Sequence, residues 1–328
     1  MTSKRETDLI SPPKGALLKR IRAHSMFYVL LLPALLFILI FSYAPMGGVV
    51  MAFKHFKLNA PSAIGDVPVF RYFGQLMNMD WVGLKWFENL FKKPDFWAAF
   101  RNTLFISFGR LIVEFPMPII LALMLNEMRH IKLKRMFQTI YTFPHFLSWV
   151  LVVSLIRLLF QSDGTVNSLI KTLGGQSVGF LSDPALFRPM LFSSSIWKSA
   201  GWGSIIYLAT ISGIDPTLYE AATIDGANRW QAMINVTWPS IKGTVVIMLI
   251  LQCGSILNAG FDQVFNLINN LTRSVGEIFD TYIFEYAFRK GQNLSLSAAA
   301  GSFKSVCNFA LLLSANFVAK LFGEEGLL

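Results

Sequence analysis

Six stretches of this chain are each apolar over about the 20 residues that a helix needs to cross the hydrocarbon core of a bilayer. They run from about Met26 to Met51, Phe96 to Leu125, Phe137 to Phe160, Pro189 to Ile211, Gly243 to Phe261 and Leu296 to Leu321. The pattern predicts an all-α polytopic membrane protein. The fourth stretch is the weakest, rich in Ser and Gly, and the sixth contains the small-residue run SAAAGS. Small residues let helices approach closely in lipid, so these two are expected to face protein. Pro33 and Pro45 fall inside the first stretch, where neighbouring groups can satisfy the carbonyls that they free. That stretch follows a basic tail and continues past Tyr43 with no small-residue cleavage site, which reads as a retained anchor and not a signal peptide. With 54% hydrophobic and 15% charged residues, the chain has too little charge to wet a soluble surface.

The formal charge is +10, from 29 Lys and Arg against 19 Asp and Glu. Much of it sits in the tail (Lys4, Arg5, Lys14, Lys19, Arg20, Arg22) and in the short loop holding Arg129, His130, Lys132, Lys134 and Arg135. Positive-inside topology accounts for this better than nucleic-acid binding does. Six spans then put both termini in the cytoplasm. The expected division is a cytoplasmic tail at 1–25, a transmembrane domain at 26–322 and a cytoplasmic C-terminal tail at 323–328. The outer stretches are long, roughly Phe53 to Asp95, Gln161 to Arg188 and Asp262 to Asn293, and offer an external partner a surface. Trp81, Trp86, Phe87, Phe91 and Trp97 suit an interfacial segment. Cys253 and Cys307 lie in apolar stretches and read as small hydrophobes. His24, His55, His130 and His145 are scattered, so no metal site is expected.

The stretch at 214–240, between the fourth and fifth spans, is the most informative. Asp215-Pro216 is a helix start, an N-cap side chain followed by proline at the first helical position. A short helix is expected from Thr217 to Ile224, broken by Asp225-Gly226, because Gly adopts a left-handed turn without a steric cost. A second short helix is expected from Ala227 to Val236, ended by Trp238-Pro239 before the fifth span. Glu220-Ala221-Ala222, three residues, Gly226, nine residues and Val236-Thr237-Trp238-Pro239 resemble the EAA loop of binding-protein-dependent ABC importer permeases. That pattern reads E-A-A, three residues, G, nine residues, I-x-L-P, so the departures are Val236 and Trp238. The surrounding GWGSIIYLATISGIDPTLYEAATIDGA is similar to the carbohydrate and complex-oligosaccharide branch of the family.

The resemblance implies a type I importer permease fold in a bacterial cytoplasmic (inner) membrane. The loop would be a coupling helix seated in a cleft of a cytoplasmic ATPase, with Tyr219, Glu220, Ala221, Ala222, Asp225, Gly226, Arg229 and Pro239 as its working residues. Ala221 and Ala222 would allow deep seating, and Glu220 or Arg229 would make charged contacts. Implied partners are two P-loop ATPase subunits, a second and different permease chain, an extracytoplasmic solute-binding protein, a saccharide and membrane lipid. No G-x-x-x-x-G-K-[ST] phosphate loop occurs here, so ATP and Mg are assigned to the ATPase subunits. The chain itself is expected to bind no cofactor and to catalyse no covalent chemistry.

Ionisable residues at membrane depth default to functional hypotheses. Arg110 and Glu114, at i, i+4, are expected to form an internal ion pair. Arg157 suits snorkelling to the interface. Candidate substrate-pathway residues are Trp197, Lys198, Trp202 and Lys304, whose aromatic faces and cations suit an acidic, for example uronate-rich, saccharide. Phe261, Asp262, Gln263 and Asn266 are further candidates at the outer end of the fifth span. Two other readings stand beside this one, an ion-coupled secondary transporter and an ABC importer permease for a non-sugar solute. An intramembrane enzyme would need a nucleophile–base or metal constellation within the spans, and none is legible.

Overall fold

The computed structural model describes residues 23–56 and 78–321. The charges of the N-terminal tail up to Arg22 and the C-terminal tail at 323–328 lie outside the described residues. The chain divides into two units between Val50 and Met51. The first unit holds α1 (Ser25–Ile38), a π turn (Leu39–Tyr43) and α2 (Ala44–Met46), leading into a 3-10 turn (Gly47–Phe53). No residue of α1 is buried, and its exposed side chains are large and apolar from Met26 onward.

The second unit opens with α3 (Lys85–Phe91). A 33-residue rod follows, made of α4 (Pro94–Gly109), a π turn (Arg110–Glu114) and α5 (Pro116–Asn126). Next come α6 (Ile131–Thr142), a 3-10 turn (Phe143–Phe146), α7 (Trp149–Phe160), α8 (Thr165–Thr172) and the 29-residue α9 (Pro184–Ser212). The loop between the fourth and fifth spans forms α10 (Pro216–Ile224) and α11 (Arg229–Ala232). A π turn (Met233–Thr237) runs directly into α12 (Trp238–Gly254). The last elements are α13 (Phe261–Leu267), α14 (Arg273–Gly276), α15 (Phe279–Phe284), a π turn (Glu285–Arg289) and α16 (Leu294–Leu321).

Five of the described helical stretches are long and apolar enough to span a membrane. α9 supplies a sixth by length, about 43 Å at 1.5 Å per residue, but it carries Arg188, Lys198 and several serines. It is the central helix. Phe187 and Leu191 near its start join one buried cluster with Ile106, Val152 and Val264, and Tyr207 and Ile211 near its end join another with Ile119 and Ile241. A third cluster, with Phe96, Phe279 and Tyr282, packs α4 against α15 and α16. Elsewhere the spans show exposed Phe, Leu and Ile, as lipid-facing surfaces must.

Three π turns share one cause. Each ends two residues before a proline: Tyr43 before Pro45, Glu114 before Pro116, Thr237 before Pro239. Proline lacks an N–H, and its ring pushes away the carbonyl four residues back. A wider turn accommodates that displacement. In each case the residue just before the proline donates five residues back: Ala44 to Leu39, Phe115 to Arg110, Trp238 to Met233.

The boundaries differ from expectation in four places. The third span does not run unbroken from Phe137, because Pro144 closes α6 into a 3-10 turn and Ser148, accepting from the Leu151 N–H at 3.3 Å, caps a fresh start at α7. Lys132, Lys134 and Arg135 are therefore helical and not in a loop. The fourth span begins earlier, where Asp183 caps α9 ahead of Pro184. The second helix of the 214–240 segment is not ended by Trp238-Pro239, since the π turn carries it through Pro239 into α12 as a 26-residue rod. That rod stops at Gly254, short of Phe261.

Candidate functional site

The 214–240 segment folds as a compact helical pair. The Asp215 carboxylate accepts from the Thr217 N–H at 2.9 Å, and this bond holds its pKa below the ordinary aspartate value. Gly226, at φ +78°, makes the left-handed turn that ends α10, and the Ala227 N–H closes it onto the Ala222 carbonyl at 2.9 Å. Asn228 and Gln231 form a reciprocal capping box at 2.8 and 2.9 Å that starts α11. The Tyr219 hydroxyl meets the buried Thr237 hydroxyl at 2.9 Å, tying α10 to the π turn that leads into the membrane. Glu220, Ala221 and Asp225 are exposed and Ala222 is half-buried. Arg229 reaches the Glu127 carbonyl at 3.5 Å within the chain, and Pro239 starts α12. Sequence reasoning passed over two residues on this surface, Ile224 at 86% exposed and Trp230 at 66%. Their one signal is that they are large apolar side chains flanking a turn, and such patches mark an interaction face.

A cavity of about 380 Å³ opens in the second unit, lined by Arg110, Glu114, His145, Ser195, Trp202 and Gln252 among others. The expected ion pair is present, with Arg110 Nη1 3.5 Å from Glu114 Oε2. Ser195 Oγ donates to that carboxylate oxygen at 2.7 Å and accepts from Arg110 at 3.3 Å. Gln263 is drawn into the same network, accepting from Arg110 Nη2 at 2.5 Å while donating to the Leu191 carbonyl and to Ser194. Trp202 stacks on the His145 ring, centroids 4.6 Å apart and planes at 4°.

The other pathway candidates are dispersed. Trp197 is exposed and does not line this cavity. Lys198 is buried and donates to the His145 carbonyl at 2.6 Å, with its ammonium 5.5 Å above the Trp149 ring. The break between α6 and α7 denies that carbonyl a helical partner, so Lys198 supplies one. Lys304 is paired with Asp280 at 2.6 Å. Phe261 stacks on Phe265, Asp262 stands exposed in the first turn of α13, and Asn266 donates to the Asp262 carbonyl. Arg157, expected to snorkel, donates to the Asn266 carbonyl at 2.6 Å. Of the pathway candidates Trp197, Lys198, Trp202, Phe261, Asp262, Asn266 and Lys304, only Trp202 lines the cavity.

Long apolar helices, a cavity in the second unit that holds a few polar groups on a largely apolar lining, and a capped helical pair leading into the fifth span fit a multi-pass membrane transport protein. Residues 114–323 match the family described as the binding-protein-dependent transport system inner membrane component. The chain is 42% identical over 326 residues to the protein LplB of Bacillus subtilis (strain 168), covering 99% of this chain and 98% of that one. It is 42% identical over 301 residues to the polygalacturonan/rhamnogalacturonan transport system permease protein YteP of the same organism, covering 92% and 89%. It also superposes on a chain of a bacterial ABC transporter involved in the import of the acidic polysaccharide alginate, with a TM-score of 0.82, 36% identity and coverage of 93% and 98%. The chain belongs to this family and is a permease of an ABC importer.

Proposed function

We propose that this permease forms half of the translocation pathway for an oligosaccharide, and that the oligosaccharide is acidic. The substrate class is supported by the names of its relatives, one a polygalacturonan/rhamnogalacturonan permease and another a component of an alginate importer. In this reading an extracytoplasmic binding protein delivers the sugar to the outer stretches, and a second, different permease chain completes the pathway. Two cytoplasmic P-loop ATPases bind ATP and Mg and dock on the 214–240 segment, with both termini on the same side. ATP closure of the ATPase pair pushes α10, and the Tyr219–Thr237 contact and the Met233–Thr237 π turn carry that push into α12. The cavity opens outward on closure and inward after hydrolysis.

The observation that carries this reading is the turn at Gly226. A left-handed glycine between two capped short helices makes the segment stiff and compact, as an element transmitting a partner's movement must be. The test is a detergent pull-down of the tagged chain from its native membrane, wild type beside Gly226→Asp, assayed for an associated ATPase. A P-loop ATPase that accompanies wild type and is lost or uncoupled in the variant is the expected result. No ATPase in either sample, from membranes known to contain the neighbouring subunits, would overturn the coupling role.

A further inference from the structure

The Arg110–Glu114 pair is poorly used as a structural ion pair. Its single contact, at 3.5 Å, lies at the edge of hydrogen bonding, although a guanidinium and a carboxylate can pair bidentately at about 2.8 Å. Arg110 Nε and Glu114 Oε1 are buried and have no hydrogen-bond partner among the described residues. Both residues line the same cavity, and so does His145, whose Nδ1 is likewise unpartnered. Buried polar atoms are normally satisfied, and exceptions gathered around one space call for an explanation. Ser195 and Gln263 meanwhile hold the guanidinium and the carboxylate in place from the protein side.

A ligand that satisfies these atoms must bring an acceptor oxygen for the Arg110 N–H, most strongly a carboxylate oxygen, and a neighbouring hydroxyl for Glu114 Oε1. A neutral sugar supplies a hydroxyl for each, without the charge assistance that a carboxylate gives. The Trp202 ring, nearly half exposed and stacked on His145, adds an apolar platform of the kind a pyranose ring rests on. The cations first suggested by the sequence, Lys198 and Lys304, are held by the His145 carbonyl and by Asp280. Among the residues lining the cavity, Arg110 is the one arginine and no lysine is present.

We propose that Arg110 and Glu114 together recognise a hydroxy-carboxylate unit of the substrate, a uronate, inside the membrane, and so set the selectivity of this permease for acidic over neutral saccharides. The inference rests on the cavity being part of the saccharide pathway. Arg110 binds the uronate carboxylate and Glu114 accepts a ring hydroxyl. A neutral saccharide offers the guanidinium only an uncharged hydroxyl, so it loses the charge-assisted bond and binds more weakly.

The test uses the whole transporter in proteoliposomes, with both permeases, the ATPases and the binding protein. Import of a uronate oligosaccharide is compared with that of its carboxyl-reduced analogue, each saturating the binding protein. Arg110→Gln is expected to cut the uronate-to-neutral import ratio about tenfold to a hundredfold, the range of a charge-assisted hydrogen bond, while neutral import persists. Glu114→Gln keeps a hydroxyl acceptor and frees Arg110, so the ratio holds or rises. If Arg110→Gln fails to assemble, Arg110→Lys, which keeps the charge but loses the planar fork, is expected to lower the ratio by a smaller factor. A ratio unchanged in every variant that transports, or both substrates lost in parallel, would reduce the pair to a structural role and overturn the inference alone. Failure of wild type to import either sugar would instead overturn the saccharide reading beneath it.

Discussion

Gly201, in the middle of α9, faces the backbone of α6 so closely that a Cβ there would lie 2.0 Å from the Tyr141 carbonyl oxygen, 2.3 Å from its carbon and 2.8 Å from the Thr142 nitrogen. All three atoms belong to the main chain, so no rotamer change relieves the clash. Restoring an ordinary contact of about 3.4 Å requires α6 and α9 to part by roughly 1.4 Å, and overpacking of that kind costs about 1–3 kcal/mol. The displaced face carries Trp202, so its stack on His145 should loosen too. Gly243 is the matched control, a helical glycine where a Cβ meets nothing within 4 Å. Gly243→Ala should be neutral or stabilising by about 0.5–1 kcal/mol, because alanine is the better helix former. Thermal unfolding of the purified chain in one detergent, followed by near-UV circular dichroism, reads both. Gly201→Ala should lower the midpoint by about 2–10 °C, and Gly243→Ala should hold or raise it. A Gly201→Ala protein that melts with wild type, or equal losses in the two variants, would refute the close approach of α6 and α9.

Lys304→Met should strand Asp280 and cost about 1–3 kcal/mol, whereas adding Asp280→Asn to it should return much of the loss; a double-mutant cycle on the same melting assay measures the coupling, and additive losses would contradict the 2.6 Å pair. Because Asp215 has a folded pKa below its unfolded value near 3.9, its capping contribution is fully present above that value and is lost only as pH falls through the depressed one. Amide exchange of Thr217–Ile224 should therefore show unchanged protection from about pH 5 to 8 once intrinsic rates are corrected, a loss on further acidification, and no such acid loss in Asp215→Asn. A loss centred near neutral pH would count against the cap.

The parts of this structure legible in the sequence are those set by neighbours in the chain. Asp215-Pro216 starts α10 and Gly226 ends it because capping and left-handed turns are decided within four or five residues. Arg110 and Glu114 pair because i and i+4 share a face. Legibility failed where a distant segment decides. Nothing near Lys198 indicates that a carbonyl 53 residues back, at His145, needs its ammonium. Nothing near Lys304 points to Asp280 across the α15–α16 turn. Gln263 read as an outer pathway candidate, yet it is a buried clamp on Arg110, 153 residues away. Prolines misled in a different way. Pro239 reads as a stop and Pro144 reads as interior to a span, but the first is absorbed by a π turn and the second breaks the helix. Both proline responses are compatible with the local sequence.

A π turn holds one more residue than the α-helical ladder around it, and that has a consequence for how members of this family can be aligned and recombined. Removing one residue from 110–114 or 233–237 would let the helix close into regular α geometry, provided that the proline two positions downstream goes with it. Because the wider turn absorbs the extra residue, everything after the deletion would keep both its distance along the axis to within one rise and the face that it presents. Chimaeras that join this chain to a relative lacking the extra residue should therefore be cut on the same side of both the π turn and its proline. A junction placed between them would keep the extra residue without the proline that widens the turn, and a helix closing over it in regular α geometry would turn α5 or α12 by about 100°.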